Sequence, residues 1–105
     1  MSGGVPGTFS VEVDPSGNVI LKGELDLATV PALEEAIAIL TSPGCSLILD
    51  LTDLTFMDGS GVRCIIKAWK TSGQRVVLLN PSRAVRRLLE LIESLGQEAW
   101  LIQEG

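Results

Sequence analysis

Asp58-Gly59-Ser60-Gly61 places a serine hydroxyl between two glycines, directly after an aspartate. A hydroxyl there can serve as a nucleophile or as an acceptor for a modifying group, depending on what stands near it. Nucleophilic catalysis needs a base within hydrogen-bond reach. The chain has no histidine, which removes Ser-His-Asp and Cys-His arrangements. Lys67 would sit about two helical turns from Ser60, too far for a Ser-Lys dyad. A hydrolase is therefore not expected, and no residue is assigned a catalytic role. Modification is the better fit. If Ser60 lies in the first turn of a helix, the unpaired N–H groups and the positive end of the helix dipole favour a phosphoryl group on it. Asp58 can cap that helix by accepting from the N–H of Ser60 or Gly61. Gly59 and Gly61 weaken the helix but leave the hydroxyl open to another protein. An ordinary glycine-rich helix start has the same four residues, so the motif alone does not decide between the two.

The elements on either side must position this serine. Leu47-Ile48-Leu49-Asp50-Leu51 is a short apolar run that predicts a buried strand. After the turn, Val62, Ile65, Ile66 and Trp69 recur at helical spacing, with Arg63, Lys67 and Lys70 on another face. The helix is expected to end near Thr71-Ser72-Gly73. Upstream, Phe9, Val11 and Val13 alternate with polar residues, and Val19 begins a second strand that reaches Lys22. Pro15-Ser16-Gly17-Asn18 between them supplies turn chemistry, so the pair should form an antiparallel hairpin. Gly23-Glu24-Leu25-Asp26-Leu27 leaves that strand for a helix whose inner face is Val30, Leu33, Ile37 and Leu40. Thr29 is its expected N-cap, Pro31 falls in its first turn, and Ser42-Pro43-Gly44 stops it. Residues 75–79 read as another strand. Ser82 should cap a helix through Leu95 with Val85, Leu88, Leu89 and Ile92 inward and Gly96 beyond its end, and residues 99–102 read as a last short strand.

The order β-β-α-β-α-β-α-β implies parallel pairing after the first hairpin, with right-handed crossovers. If successive crossovers advance in one direction, the helices share a face and the fold is a βα superhelix. Spacing alone does not set that direction. The turns at 23–26, 52–61 and 80–82 follow the carboxyl ends of strands, where functional regions of parallel sheets lie, and should gather around Ser60.

Composition narrows the partners. The 105 residues are 46% hydrophobic and 20% charged, as expected of one globular domain. The net charge of -5 speaks against nucleic acid, whose phosphates demand a basic surface. Residues 1–58 carry nine acids and one base, and residues 59–105 carry four acids and seven bases. Such two-sidedness suits either solvated faces or a steered protein interface. No apolar run is long enough to span a bilayer, and residues 1–8 lack the features of a signal peptide, so no membrane insertion and a cytoplasmic location are expected. Those eight residues read as a flexible lead, with the domain at 9–105. Cys45 and Cys64 are too few for a zinc site. Placed at the far end of a strand and early in the returning helix, they should be too distant for a disulfide. Asp50, Asp53 and Asp58 are better explained as a strand-end residue, a turn former and a cap than as metal ligands. Neither a metal nor a cofactor is expected.

Three stretches together resemble a known family. Leu49-Asp50-Leu51 followed by Phe56-Met57-Asp58-Gly59-Ser60-Gly61-Val62 is similar to the signature of STAS domains, in particular bacterial anti-sigma factor antagonists, whose pattern is Asp-Ser-Ser/Thr-Gly-Leu/Ile. Gly23-Glu24-Leu25-Asp26 matches that family's Gly-Glu-Leu/Ile-Asp, and Asn80-Pro81-Ser82 opens a helix where the family has its third crossover. The resemblance implies a single-domain α/β fold, a βα superhelix on a mixed sheet of about five strands with helices mainly on one face. It also implies a phosphoprotein that binds an anti-sigma factor serine kinase and releases a sigma factor, until phosphorylation of the motif serine, here Ser60, prevents it. A PP2C-type serine phosphatase would reset the switch. Asp26, Asp58, Gly59, Ser60, Gly61, Arg63 and Lys67 are then the expected partner-binding residues. Gly59 replaces the family's first serine, and Arg63 and Lys67 stand where some members have glycine, which bears on partner choice. A different implication is a STAS subunit of a larger assembly, such as a lipid transporter or stress-sensing complex, whose serine is structural. A co-purifying histidine-kinase-like ATPase or a membrane permease would separate the two.

Overall fold

The computed structural model describes residues 9–40, 46–72, 75–96 and 100–104. The elements are β1 (Phe9–Val13), β2 (Val19–Leu25), α1 (Val30–Leu40), β3 (Leu47–Met57), α2 (Gly59–Ser72), β4 (Val76–Leu79), α3 (Arg83–Ser94) and β5 (Leu101–Gln103). The five strands form one sheet in sequence order, β1 antiparallel to β2 and every later pair parallel. The first hairpin closes through Asp14, whose carboxylate accepts from the N–H groups of Ser16 and Asn18, both at 2.9 Å, while Gly17 takes a φ of 88° that a side chain would resist.

Because each crossover advances by one strand in the same direction, one face of the sheet receives all three helices. Register aligns Val19 with Leu49 and Leu49 with Leu78. These residues share a single core with Leu33 and Ile37 of α1, Ile65 of α2 and Val85 and Leu89 of α3. The fold is thus the expected βα superhelix. The opposite face holds Glu12, Lys22 and Asp50, with Lys22 paired to Glu12 at 3.8 Å.

Several expectations at the element ends need correction. β2 continues past Lys22 to Leu25, and β3 continues past Leu51 to Met57. The pairing of Ile20 with Asp50 but Lys22 with Asp53, and of Gly23 with Leu54 but Glu24 with Phe56, places two bulges in β3. Each inserts one residue, so the buried positions step from Leu51 to Leu54 to Met57 at intervals of three. That spacing hides a strand from a period-two reading. Val13 and Leu40, expected inward, lie at element ends and are 48% and 40% exposed. In α2 the inward row runs through Val62, Cys64, Ile65 and Ala68, which leaves Trp69 at the margin, 38% exposed. The last strand is shifted to Leu101–Gln103. The lead at 1–8, the helix stop at 42–44 and Cys45 lie outside the described residues.

Candidate functional site

β2 and β3 end side by side, Leu25 opposite Met57, so Asp26 and Asp58 follow at the same end of the sheet. Each begins a helix. The Asp58 N–H donates to the Leu25 carbonyl at 3.2 Å, tying the two strand ends together. Asp58 Oδ1 accepts from the N–H of Ser60 at 2.9 Å and of Gly61 at 3.3 Å. This is the expected cap, and it sets Ser60 in the first turn of α2. The Ser60 hydroxyl makes no hydrogen bond among the described residues. It is half-buried and open on the side of Gly59, where an added Cβ would meet nothing within 4 Å.

Gly61 differs sharply from Gly59. A Cβ there would come within 2.7 Å of Met57 Cγ and 2.9 Å of Leu25 Cδ2. The missing side chain is what lets α2 sit down on the ends of both strands, and so fixes the height of Ser60 above the sheet.

The other junction is capped differently from the sequence-based expectation. Asp26, not Thr29, supplies the capping carboxylate, with Oδ1 accepting from Ala28 N–H at 3.0 Å and Thr29 N–H at 3.1 Å. Thr29 is only 3% exposed. Its hydroxyl accepts from the Asp26 N–H at 2.9 Å and donates to the Glu24 carbonyl at 2.8 Å. A buried hydroxyl must find such partners, and here it staples the strand end to the helix start.

Asn80-Pro81-Ser82 does not join this cluster. β4 ends where Leu79 pairs with Asp50, whereas β3 runs on to Met57. Asn80 Nδ2 instead donates to Thr52 Oγ1 at 3.4 Å, and Ser82 caps α3 by accepting from Val85 N–H at 3.3 Å. Of the basic residues on α2, Lys67 pairs with Glu34 of α1 at 3.7 Å. Arg63 is exposed and forms no ion pair among the described residues. Two apolar residues near the aspartates belong to the quoted motifs but carry no binding role in the sequence reading: Leu27, 76% exposed, and Phe56, 47% exposed. Phe56 lies two residues before the capping Asp58, but a single aromatic there is no signal until the bulges turn it outward.

Among the described residues no group of histidine, cysteine, aspartate or glutamate side chains could hold a metal ion, and no helix is long and apolar enough to cross a membrane. Cys64 is a free thiol buried under α2. Burial, then the nearby Glu34 charge, push its pKa from 9.0 to about 11, against a smaller opposing pull from Lys67, so it is a poor nucleophile at neutral pH.

Comparison with known proteins decides the family. The sequence profile of the STAS domain matches residues 11–98. The chain belongs to the STAS domain family. A protein from Listeria monocytogenes serovar 1/2a, "Anti-sigma-B factor antagonist", is 32% identical over 78 residues, which span 70% of this chain and 68% of the relative. Its counterpart from Listeria innocua serovar 6a shows the same identity and coverage. A crystal structure of an anti-sigma factor antagonist from Mycobacterium paratuberculosis superposes with a TM-score of 0.68 at 27% identity, covering 93% of this chain and 89% of that one. The STAS fold explains the sheet order and the shared helix face. Family membership also makes this a regulatory binding domain and not an enzyme.

Proposed function

We propose that this STAS domain is an anti-sigma factor antagonist that binds an anti-sigma factor serine kinase, releases a sigma factor, and is switched off by phosphorylation of Ser60. The observation that carries the reading is the free hydroxyl of Ser60 in the Asp58-capped first turn of α2, in a chain whose relatives are named as antagonists of anti-sigma factors. The docking surface comprises Asp26, Asp58, Gly59, Ser60, Arg63 and Lys67, extended by the exposed Leu27 and Phe56; Gly61, expected there from the sequence, is buried against Leu25 and Met57 and serves the surface only by seating α2. A PP2C-type serine phosphatase restores the binding form, and the site of action is the cytoplasm, where transcription takes place.

The physics favours a switch that changes binding and spares the fold. A phosphoryl group adds about -1.5 to -2 charge at neutral pH. In the first turn the helix dipole offsets part of this by ~0.3 to 1 kcal/mol, while Asp58 opposes it. Against a partner the phosphate must be desolvated, at a cost of several kcal/mol if no cation is arranged for it. At ~1.4 kcal/mol per factor of ten, this amounts to a thousandfold or more in affinity.

Titration calorimetry against the anti-sigma factor, with thermal melts of each form, tests the proposal. Ser60→Ala should bind constitutively, Ser60→Glu weakly, and stoichiometrically phosphorylated protein at least a thousandfold more weakly, all melting near the wild-type temperature. Equal affinity of Ser60→Ala and the phosphorylated protein would rule the switch out.

A further inference from the structure

Starting beside Gly59, a groove of roughly 480 Å³ runs between α2 and α3. Val62 and Ile66 form its floor on α2, Ile92 and Leu95 form its wall on α3, and Arg63 and Lys70 stand along it. Among the described residues no acidic side chain lines it. In a chain of net charge -5, that is a local reversal of sign. Neither Arg63 nor Lys70 has an ion-pair partner among the described residues, although Lys67 on the same helix is neutralised by Glu34. Nor do the described residues cover the apolar wall: Leu95 is 72% exposed, and Leu91, one turn earlier, is 58% exposed.

We infer that this groove is a second half of the docking surface and takes an acidic amphipathic helix of the anti-sigma factor. The inference rests on the reading of the chain as an antagonist. Spacing and charge both specify the occupant. Val62, Ile66 and Lys70 recur at intervals of four along α2, so the groove lies parallel to a helix axis and offers apolar contacts at helical repeat. An amphipathic helix laid in such a groove presents anchors at matching intervals. Two unpaired cations at one edge require carboxylates on the occupant's flank, and complementary charge of this kind raises the association rate and sets register. Lys70 is ten residues beyond Ser60, about 15 Å along the helix. A partner that reaches it has a footprint well beyond the serine.

The experiment measures binding of the purified anti-sigma factor to Lys70→Glu, Arg63→Glu and Leu95→Asp, with Lys22→Glu on the opposite face of the sheet as a control. All four positions are exposed, and melts confirm that each variant is folded. The expected result is a loss of at least tenfold in affinity for Lys70→Glu and for Leu95→Asp, a slower association that becomes less salt-dependent for Lys70→Glu and Arg63→Glu, and no change for Lys22→Glu. Lys70→Glu and Leu95→Asp both binding within twofold of wild type, while phosphorylation still abolishes binding, would overturn the groove and leave the switch standing. Weakened groove variants with phosphorylation-insensitive binding would support the groove and overturn the switch. No binding by the wild-type protein would overturn both.

Discussion

The junctions after β2 and after β3 are built to the same plan and put to opposite ends. Both consist of a strand end, an aspartate and a helix, held level by the pairing of Leu25 with Met57. After β2, the hydroxyl three residues past the aspartate is buried and bonded on both sides, by the Asp26 N–H and to the Glu24 carbonyl. After β3, the hydroxyl two residues past the aspartate has no partner among the described residues. One residue of spacing and two glycines separate a staple from a presented group. A capped helix start is therefore not in itself a modification site; what qualifies it is that the hydroxyl is left over once the backbone has been satisfied.

The contrast can be tested from its largest consequence downward. Incubation with the partner kinase and ATP should label Ser60 and leave Thr29 unlabelled, as read by mass spectrometry of the digested protein. Label on Thr29 or on Thr52, Thr55 or Ser82 would remove the distinction. Next in size is Gly61→Ala, which forces a Cβ against Met57 and Leu25 and should destabilise the domain by about 1–3 kcal/mol despite alanine's better helix propensity. Thr29→Val, nearly the same shape, should cost ~1–3 kcal/mol, because the Asp26 N–H and Glu24 carbonyl lose their partner in a buried place. Asp58→Ala should lower stability by ~1 kcal/mol through loss of the cap; an unchanged urea midpoint at unchanged slope would show that the carboxylate does not cap. Smallest, and opposite in sign, is Gly59→Ala. With nothing within 4 Å of the new Cβ, it should stabilise the domain by up to about 1 kcal/mol.

Much of this was legible before the structure, and what was not has a physical cause. Asp58 and Ser60 were readable because capping is local: an aspartate two residues ahead of a helical period is enough. The helices were readable from Leu33 and Ile37 or Val85 and Leu89, which repeat at helical spacing. The length of β3 was hidden because its bulges replace alternation by steps of three from Leu51 to Met57. The role of Thr29 was misplaced because threonine and aspartate are both good caps, and only the fold shows which oxygen reaches the free N–H groups. Asn80 was expected near Ser60 on the assumption that parallel strands end level, and β4 stops at Leu79 while β3 does not. The groove between α2 and α3 joins residues some 30 positions apart, which no local pattern announces.

That unequal strand length has a consequence for motion. β3 is paired on both sides only at Leu49 and Asp50; before them, at Leu47 and Ile48, its partner strand is β4 alone, and beyond Asp50 it is β2 alone. The distal half of the strand, with Ser60 mounted on its tip, is an overhang from a braced base. Local opening free energies fall where fewer neighbours must separate. Amide hydrogen exchange should accordingly be slowest near Leu49 and faster from Thr52 onward. Ser60 thus follows the end of β3 that is braced on one side only, away from the two positions where that strand has a partner on each side.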